Sequence, residues 1–274
     1  MKSWELFFAV TRPWLRRNPL AFTSLLAVGL FLVNPAQSQV LIPNTSPLTE
    51  NFNSMGGNTT LPEGWRVSYG TTSPTWESSQ TAVTYTASSG TPTAYGTYAW
   101  GNPQRTDWAV GMLSPIRTQT SVMMLASNVS GQVLNSWSIT YSAEQFYRNN
   151  SDSFACFYYS LNGENWTQVS RGTLTLNGSF SPVGPSFDDP VSKTKSFTFQ
   201  SPTIEQDASI YFRWEFYIAG PQGQGWGFDN IIITPGFTPV PEASTIGLIG
   251  IGLSLFTLMA IRRRLSSLPS STIS

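Results

Sequence analysis

The stretch IYFRWEF, residues 210–216, decides the fold class. Ile210, Phe212, Trp214 and Phe216 fall on one side of an extended chain, and Arg213 and Glu215 fall on the other. Period-2 alternation of this kind marks a strand with one buried face. Trp137–Tyr141 and Phe197–Phe199 alternate in the same way. Asn162-Gly163 lies between the runs Phe154–Leu161 and Trp166–Val169, a hairpin signal because both residues tolerate positive φ. Phe228–Thr234 reads as the last strand before Pro235-Gly236. From Val40 onward the text is short apolar runs between Gly, Pro, Asn and Ser, and no long segment repeats every 3.6 residues. Many strands without helices predict a β-sandwich.

Composition narrows the function. Aromatics make up 14% of the 274 residues and charged residues only 11%, well under the usual quarter. The formal net charge is zero, but seven basic residues lie in the two ends (Lys2, Arg12, Arg16, Arg17 and Arg262–Arg264). Between Gln39 and Glu242 eight basic residues face fourteen acidic ones, a net of about −6. An acidic body argues against nucleic-acid binding, which needs a basic face. The sequence has no histidine, which excludes Ser-His-Asp and Cys-His catalysis and His-ligated zinc. The single cysteine, Cys156, has no intramolecular disulfide partner and reads as a small apolar strand residue.

Both ends read as membrane-directed. Residues 1–38 combine a basic start, the charge-free run Leu20–Val33 and a small-residue site at Ala36–Ser38, the layout of a signal peptide. Cleavage is expected between Ser38 and Gln39 by the general secretory route, with an uncleaved N-terminal anchor as the alternative. At the other end a Pro-rich linker, residues 236–242, contains Val240-Pro241-Glu242. A helix over Ala243–Ile261 would be roughly 28 Å long, close to the ~30 Å hydrocarbon core. Arg262, Arg263 and Arg264 then open a basic tail, residues 262–274, expected to stay cytoplasmic. The order of Pro-Glu element, apolar helix and arginine cluster resembles the PEP-CTERM sorting signal of exported bacterial proteins. The resemblance implies recognition by an exosortase in the inner membrane and a mature form at the cell surface, in the outer envelope or outside the cell, in contact with extracellular polysaccharide. A plain anchor helix with a positive-inside stop is the alternative.

The body resembles a family as well. Glu50–Met55 with Leu61–Trp65, Thr106–Gly111, Ile139–Gln145, Tyr159–Trp166 and Gly227–Ile231 are similar to stretches of a jelly-roll-like β-sandwich common in secreted bacterial proteins. The implied architecture is all-β. It is a single jelly-roll-like antiparallel β-sandwich over residues 39–235, flanked by an N-terminal signal peptide and a C-terminal transmembrane sorting helix.

No catalytic set can be selected from the residues. Glu144, Glu164, Asp188, Asp189, Glu205 and Glu215 are carboxylates, but nothing in their spacing picks the facing pair that glycoside hydrolysis requires. The chain is therefore expected to be no enzyme but a structural or surface component, with a lectin-like glycan-binding module as the alternative and a carboxylate hydrolase as the third reading. Trp76, Trp100 and Trp226 lie in Gly/Pro/Ser-rich text and are the candidate glycan contacts. No cofactor is expected apart from calcium. Its candidate ligands are Glu50 and Asp229, because the first and last strands of a jelly roll can lie side by side and Ca²⁺ takes carboxylate oxygens. Local backbone bonding by these strand-edge acids is the alternative.

Overall fold

The computed structural model describes residues 38–237 except 103, 105, 116, 150, 177–183, 188–189 and 221–222. The signal peptide, the motif Val240–Glu242, the helix 243–261 and Arg262–Arg264 lie outside the described residues.

The described chain is all-β, built from two sheets. The first contains β1 (Val40–Ile42), β3 (Trp65–Tyr69), β7 (Gln119–Asn128), β9 (Ser153–Ser160), β10 (Thr167–Gln168), β11 (Leu174–Leu176) and β14 (Ser209–Ile218). Its centre runs β7-β14-β9. β3 and β1 lie end to end along the free side of β7, pairing with residues 120–124 and 126–128. The second contains β2 (Leu48–Glu50), β4 (Tyr85–Ala87), β5 (Gly96–Asn102), β6 (Asp107–Ser114), β8 (Leu134–Arg148), β12 (Gly184–Pro185), β13 (Val191–Ile204) and β15 (Gln224–Phe237). Its order is β8-β15-β6-β5-β4, with β13 outside β8 and β2 beside the far half of β15. The only helical turns among the described residues are 3-10 turns at Asn53–Met55 and Ser170–Gly172.

The alternation seen in the sequence sets the inner faces. Ile210, Phe212, Trp214 and Phe216 of β14 are buried, as are Trp137, Ile139 and Tyr141 of β8. They meet across the gap between the sheets. Phe216 stacks on Phe228 at 3.8 Å, Trp137 meets Phe212 edge-on at 5.1 Å, and Phe157 meets Phe197 at 5.1 Å. Such rings supply most of the apolar area that stabilises a sandwich. The Asn162 turn forms as well. Asn162 Oδ1 accepts the backbone N–H groups of Glu164 and Asn165, and Gly163 has φ 71°.

Three expectations are corrected. The sheets are not purely antiparallel, since β1–β7 and β4–β5 are parallel pairs. The last strand runs through Pro235 to Phe237, with Pro235 opposite Trp137. Among the described residues no strand on the other side pairs with β15 beyond Ile233, so the missing proline N–H costs no ladder bond on that side. Arg213 and Glu215 do lie opposite the core face of β14, but not in solvent. Trp166 and Tyr158 cover the Arg213 guanidinium at 4.9 and 4.0 Å, and the Trp166 Nε1–H donates to the Pro74 carbonyl at 2.7 Å. Cys156 is half-buried on this same face, opposite Glu215 on β14, and burial raises its thiol pKa.

Candidate metal centre

In the eight-stranded sheet β15 runs between β6 and β8. Each of these three strands places one carboxylate on the face turned away from the core: Asp107 at the start of β6, Glu144 in β8 and Asp229 in β15. One oxygen from each lies within 4.8 Å of the other two. Asp229 is 0% exposed and Glu144 is 7% exposed, whereas Asp107 faces solvent.

A bulge in β15 shapes the Asp229 position. Asp229 pairs with Ser142 and Ile232 with Thr140, so β15 holds one extra residue there, and Asn230 adopts φ 50°. Bulges re-aim side chains in this way. The Asn230 Nδ2 donates to Asp229 Oδ2 at 2.7 Å, while Asp229 Oδ1 has no hydrogen-bond partner among the described residues. Burial, reinforced by the neighbouring Glu144, pushes the Asp229 carboxyl up to about 8. Burial, reinforced by Asp107, pushes Glu144 up to about 7. Three crowded carboxylates, one with a bare buried oxygen, lack positive charge.

A hard divalent cation fits this set. Two oxygens bound to one Ca²⁺ at about 2.4 Å are at most about 4.8 Å apart, the limit of the observed spacing. The donors are all oxygen, which suits Ca²⁺ or Mg²⁺ and not zinc or copper. Exposed Asp107 leaves a side open for the water ligands such ions keep.

The sequence reading sets Glu50 beside Asp229 as calcium ligands. β2 does lie along β15, with Glu50 opposite Ile231. Directly opposed residues share a face, and Ile231 points into the core. Glu50 is thus on the other face from Asp229, and its Oε1 accepts the Phe52 N–H at 2.7 Å. Asp107 and Glu144 take its place. Only the strand order brings them together with Asp229.

The remaining candidates sit elsewhere. Trp76, Trp100 and Trp226 are all buried. Trp76 packs under Arg66 at 4.6 Å, Trp100 stacks on Tyr98 at 4.4 Å, and the Trp226 Nε1–H donates to Gln224 Oε1 at 2.7 Å. Trp100 and Trp226 lie within β5 and β15 and Trp76 in a turn, and all three rings are covered, so none of them presents a face to a sugar. Glu215 is tied to Arg213. Glu164 and Glu205 are exposed on loops, and Asp188 and Asp189 lie outside the described residues. Ser38 and Gln39 are described, and Ser38 Oγ accepts the Gly64 N–H at 3.1 Å.

No protein-family model and no curated protein matches the sequence. Solved structures with some likeness include the enzymatically active domain of bacteriophage CBA120 tailspike protein 4, at 11% identity and TM-score 0.35 over 71% of this chain and 22% of that one. TmCBM61 in complex with beta-1,4-galactotriose is 11% identical, with TM-score 0.35 over 68% of this chain and 99% of that one. The CBM22-1 xylan-binding domain from Paenibacillus barcinonensis Xyn10C is 10% identical, with TM-score 0.36 over 72% and 99%. All three scores lie below 0.5, so function is read from the chain's own geometry.

Proposed function

We propose that this chain is an exported, non-catalytic, jelly-roll-like β-sandwich that binds glycan at the cell surface and is held rigid by a divalent cation, calcium first, at Asp107, Glu144 and Asp229. The acidic centre carries the reading. Its carboxylates are close enough for acid–base work, but Asp229 and Glu144 are sealed, and a glycosidic bond must fit between two such groups to be cleaved. A set with two buried carboxylates and one open to water is suited to holding an ion. Three strands clamped through one ion make a stiff platform, and millimolar affinity suffices outside the cell.

Calcium binding has a signed pH dependence. In ion-free protein the folded carboxyls of Glu144 and Asp229 titrate at about 7 and about 8, above the unfolded values of about 4. The folded state then holds more protons than the unfolded one, so stability is full below about pH 4 and is lost as pH rises through 7 to 8. Calcium competes with those protons and binds better as pH rises. At pH 8, calcium at about a hundred times its Kd is expected to add about 2.7 kcal/mol, raising Tm by roughly 5–11 °C over chelator-treated protein. The gap should shrink toward pH 5, and Asp229→Asn should abolish it. Equal melting in calcium and in EDTA at pH 8 would remove the ion from the reading.

Sorting by an exosortase completes the proposal. It is supported by the order Val240-Pro241-Glu242, apolar run, Arg262–Arg264. Mass spectrometry of the extracellular protein is expected to find an N-terminus at Gln39 and a C-terminus before Arg262. Extracellular chains that retain Arg262–Arg264 would contradict sorting and cleavage.

A further inference from the structure

The eight-stranded sheet ends at β4, and an aromatic stack runs inward from that edge across the sheet's outer face. Tyr85 lies 5.1 Å from Tyr98, Tyr98 stacks on Trp100 at 4.4 Å and 14°, and Trp100 on Phe146 at 5.6 Å and 2°. The outermost ring is 37% exposed. It lies so close over Gly96 that a Cβ there would come within 2.8 Å of it. The Tyr98 hydroxyl donates to the Ala94 carbonyl at 2.7 Å and holds the loop of residues 88–94 against the stack. Between the loop and β4 is a cleft of about 410 Å³, lined by Tyr85, Tyr98 and the hydroxyl residues Ser88, Ser89, Thr91 and Thr93 among others. Its volume is that of a small-ligand site. Tyr95, at the end of the loop, is 55% exposed; it and Tyr85 are the strongly exposed aromatic residues among those described.

The chemistry selects the ligand. Leaving a tyrosine ring in water forgoes its burial energy, and here the Tyr85 ring stands part-exposed at the sheet edge. Among the described residues none that lines the cleft is charged, so phosphates, nucleic acids and acidic sugars find no counter-charge there. The hydroxyls do not suit a lipid chain. A flat ring with a rim of hydroxyls suits a neutral pyranose, whose C–H face stacks while its hydroxyls exchange hydrogen bonds with serine and threonine. We propose that this sheet-edge cleft is a subsite for a neutral polysaccharide, with Tyr85 as the stacking platform. This rests on the glycan-binding reading and places the contact on tyrosines at a sheet edge.

Affinity electrophoresis of the full-length protein through gels containing galactan, xylan, mannan or β-glucan, with alginate as the charged comparison, tests it. Wild type should be retarded by at least one neutral polymer. Tyr85→Ala should weaken binding about tenfold or more, as truncating a central aromatic contact does, and Tyr85→Phe should retain it. Because Tyr85→Ala also removes one end of the stack, Ser89→Arg, on the exposed loop, is the second variant. It should block the cleft with Tm unchanged. Retarded wild type with both variants unimpaired would overturn the site and leave glycan binding standing. Retardation by alginate alone would overturn the ligand class. No retardation in any gel would sink the glycan reading and this proposal with it.

Discussion

Trp226→Ala is expected to cost about 3–5 kcal/mol and to lower Tm by roughly 6–20 °C for a domain of this size. The ring is fully buried and packs near Phe216 at 6.2 Å. Its Nε1–H satisfies Gln224 Oε1, which also accepts from Gln145 Nε2 at 2.9 Å and Ser153 Oγ at 3.0 Å. The Trp226 carbonyl in turn accepts the Trp100 Nε1–H at 3.1 Å. Removing the ring therefore opens a cavity and takes one donor from a buried polar network. A tryptophan acting as a sugar platform would behave oppositely, losing glycan retention with Tm intact. A thermal melt of the variant within about 2 °C of wild type would refute the interior role.

Glu215→Ala should be as damaging, at about 3–5 kcal/mol, because it strands a buried guanidinium. Arg213 and Glu215 side chains are 4% and 3% exposed and 3.3 Å apart. Burial raises the Glu215 carboxyl pKa despite the pull of Arg213, a sign of how dry the site is. The Tyr158 hydroxyl donates to Glu215 Oε1 at 3.2 Å, and this bond is lost too. Replacing both partners together, Arg213→Met with Glu215→Leu, should recover most of the loss, because apolar groups of similar volume need no compensation. Urea unfolding of the single and double variants measures this directly. A Glu215→Ala cost under about 1 kcal/mol would place the pair in the exposed class.

These two sites mark where local pattern stops being informative. Alternation in β14 assigns Arg213 and Glu215 to the face opposite the core, which is correct. Whether that face meets water depends on Trp166 and Tyr158, the first carried on a hairpin loop that starts some fifty residues earlier. Trp76, Trp100 and Trp226 mislead for the same reason. Gly- and Ser-rich text around a ring does not separate loop from strand: Trp100 and Trp226 lie in β5 and β15 and only Trp76 in a turn, and the burial of each depends on what packs over it. Tyr85 and Tyr95 carry no local mark that separates them from the buried Tyr98 a few residues on.

The acidic centre shows the division most clearly. The sequence by itself determined the all-β class, the inner residues of β8 and β14, the Asn162 turn and the exclusion of histidine chemistry. These depend on period-2 geometry, turn preferences and the presence or absence of a side chain, all short-range properties. It also suggested that the first and last strands lie together, but the first strand, β1, pairs with β7 in the other sheet, and the second, β2, is the one that lies along β15. Only the tertiary structure decided that Asp107, Glu144 and Asp229 share a site while Glu50 turns to its own backbone. Neighbours in this sheet are set by the order β8-β15-β6, which joins residues 37 to 122 positions apart. The physical reason is that strand order and register are settled by burying the whole apolar face at once, a global condition that no local window contains.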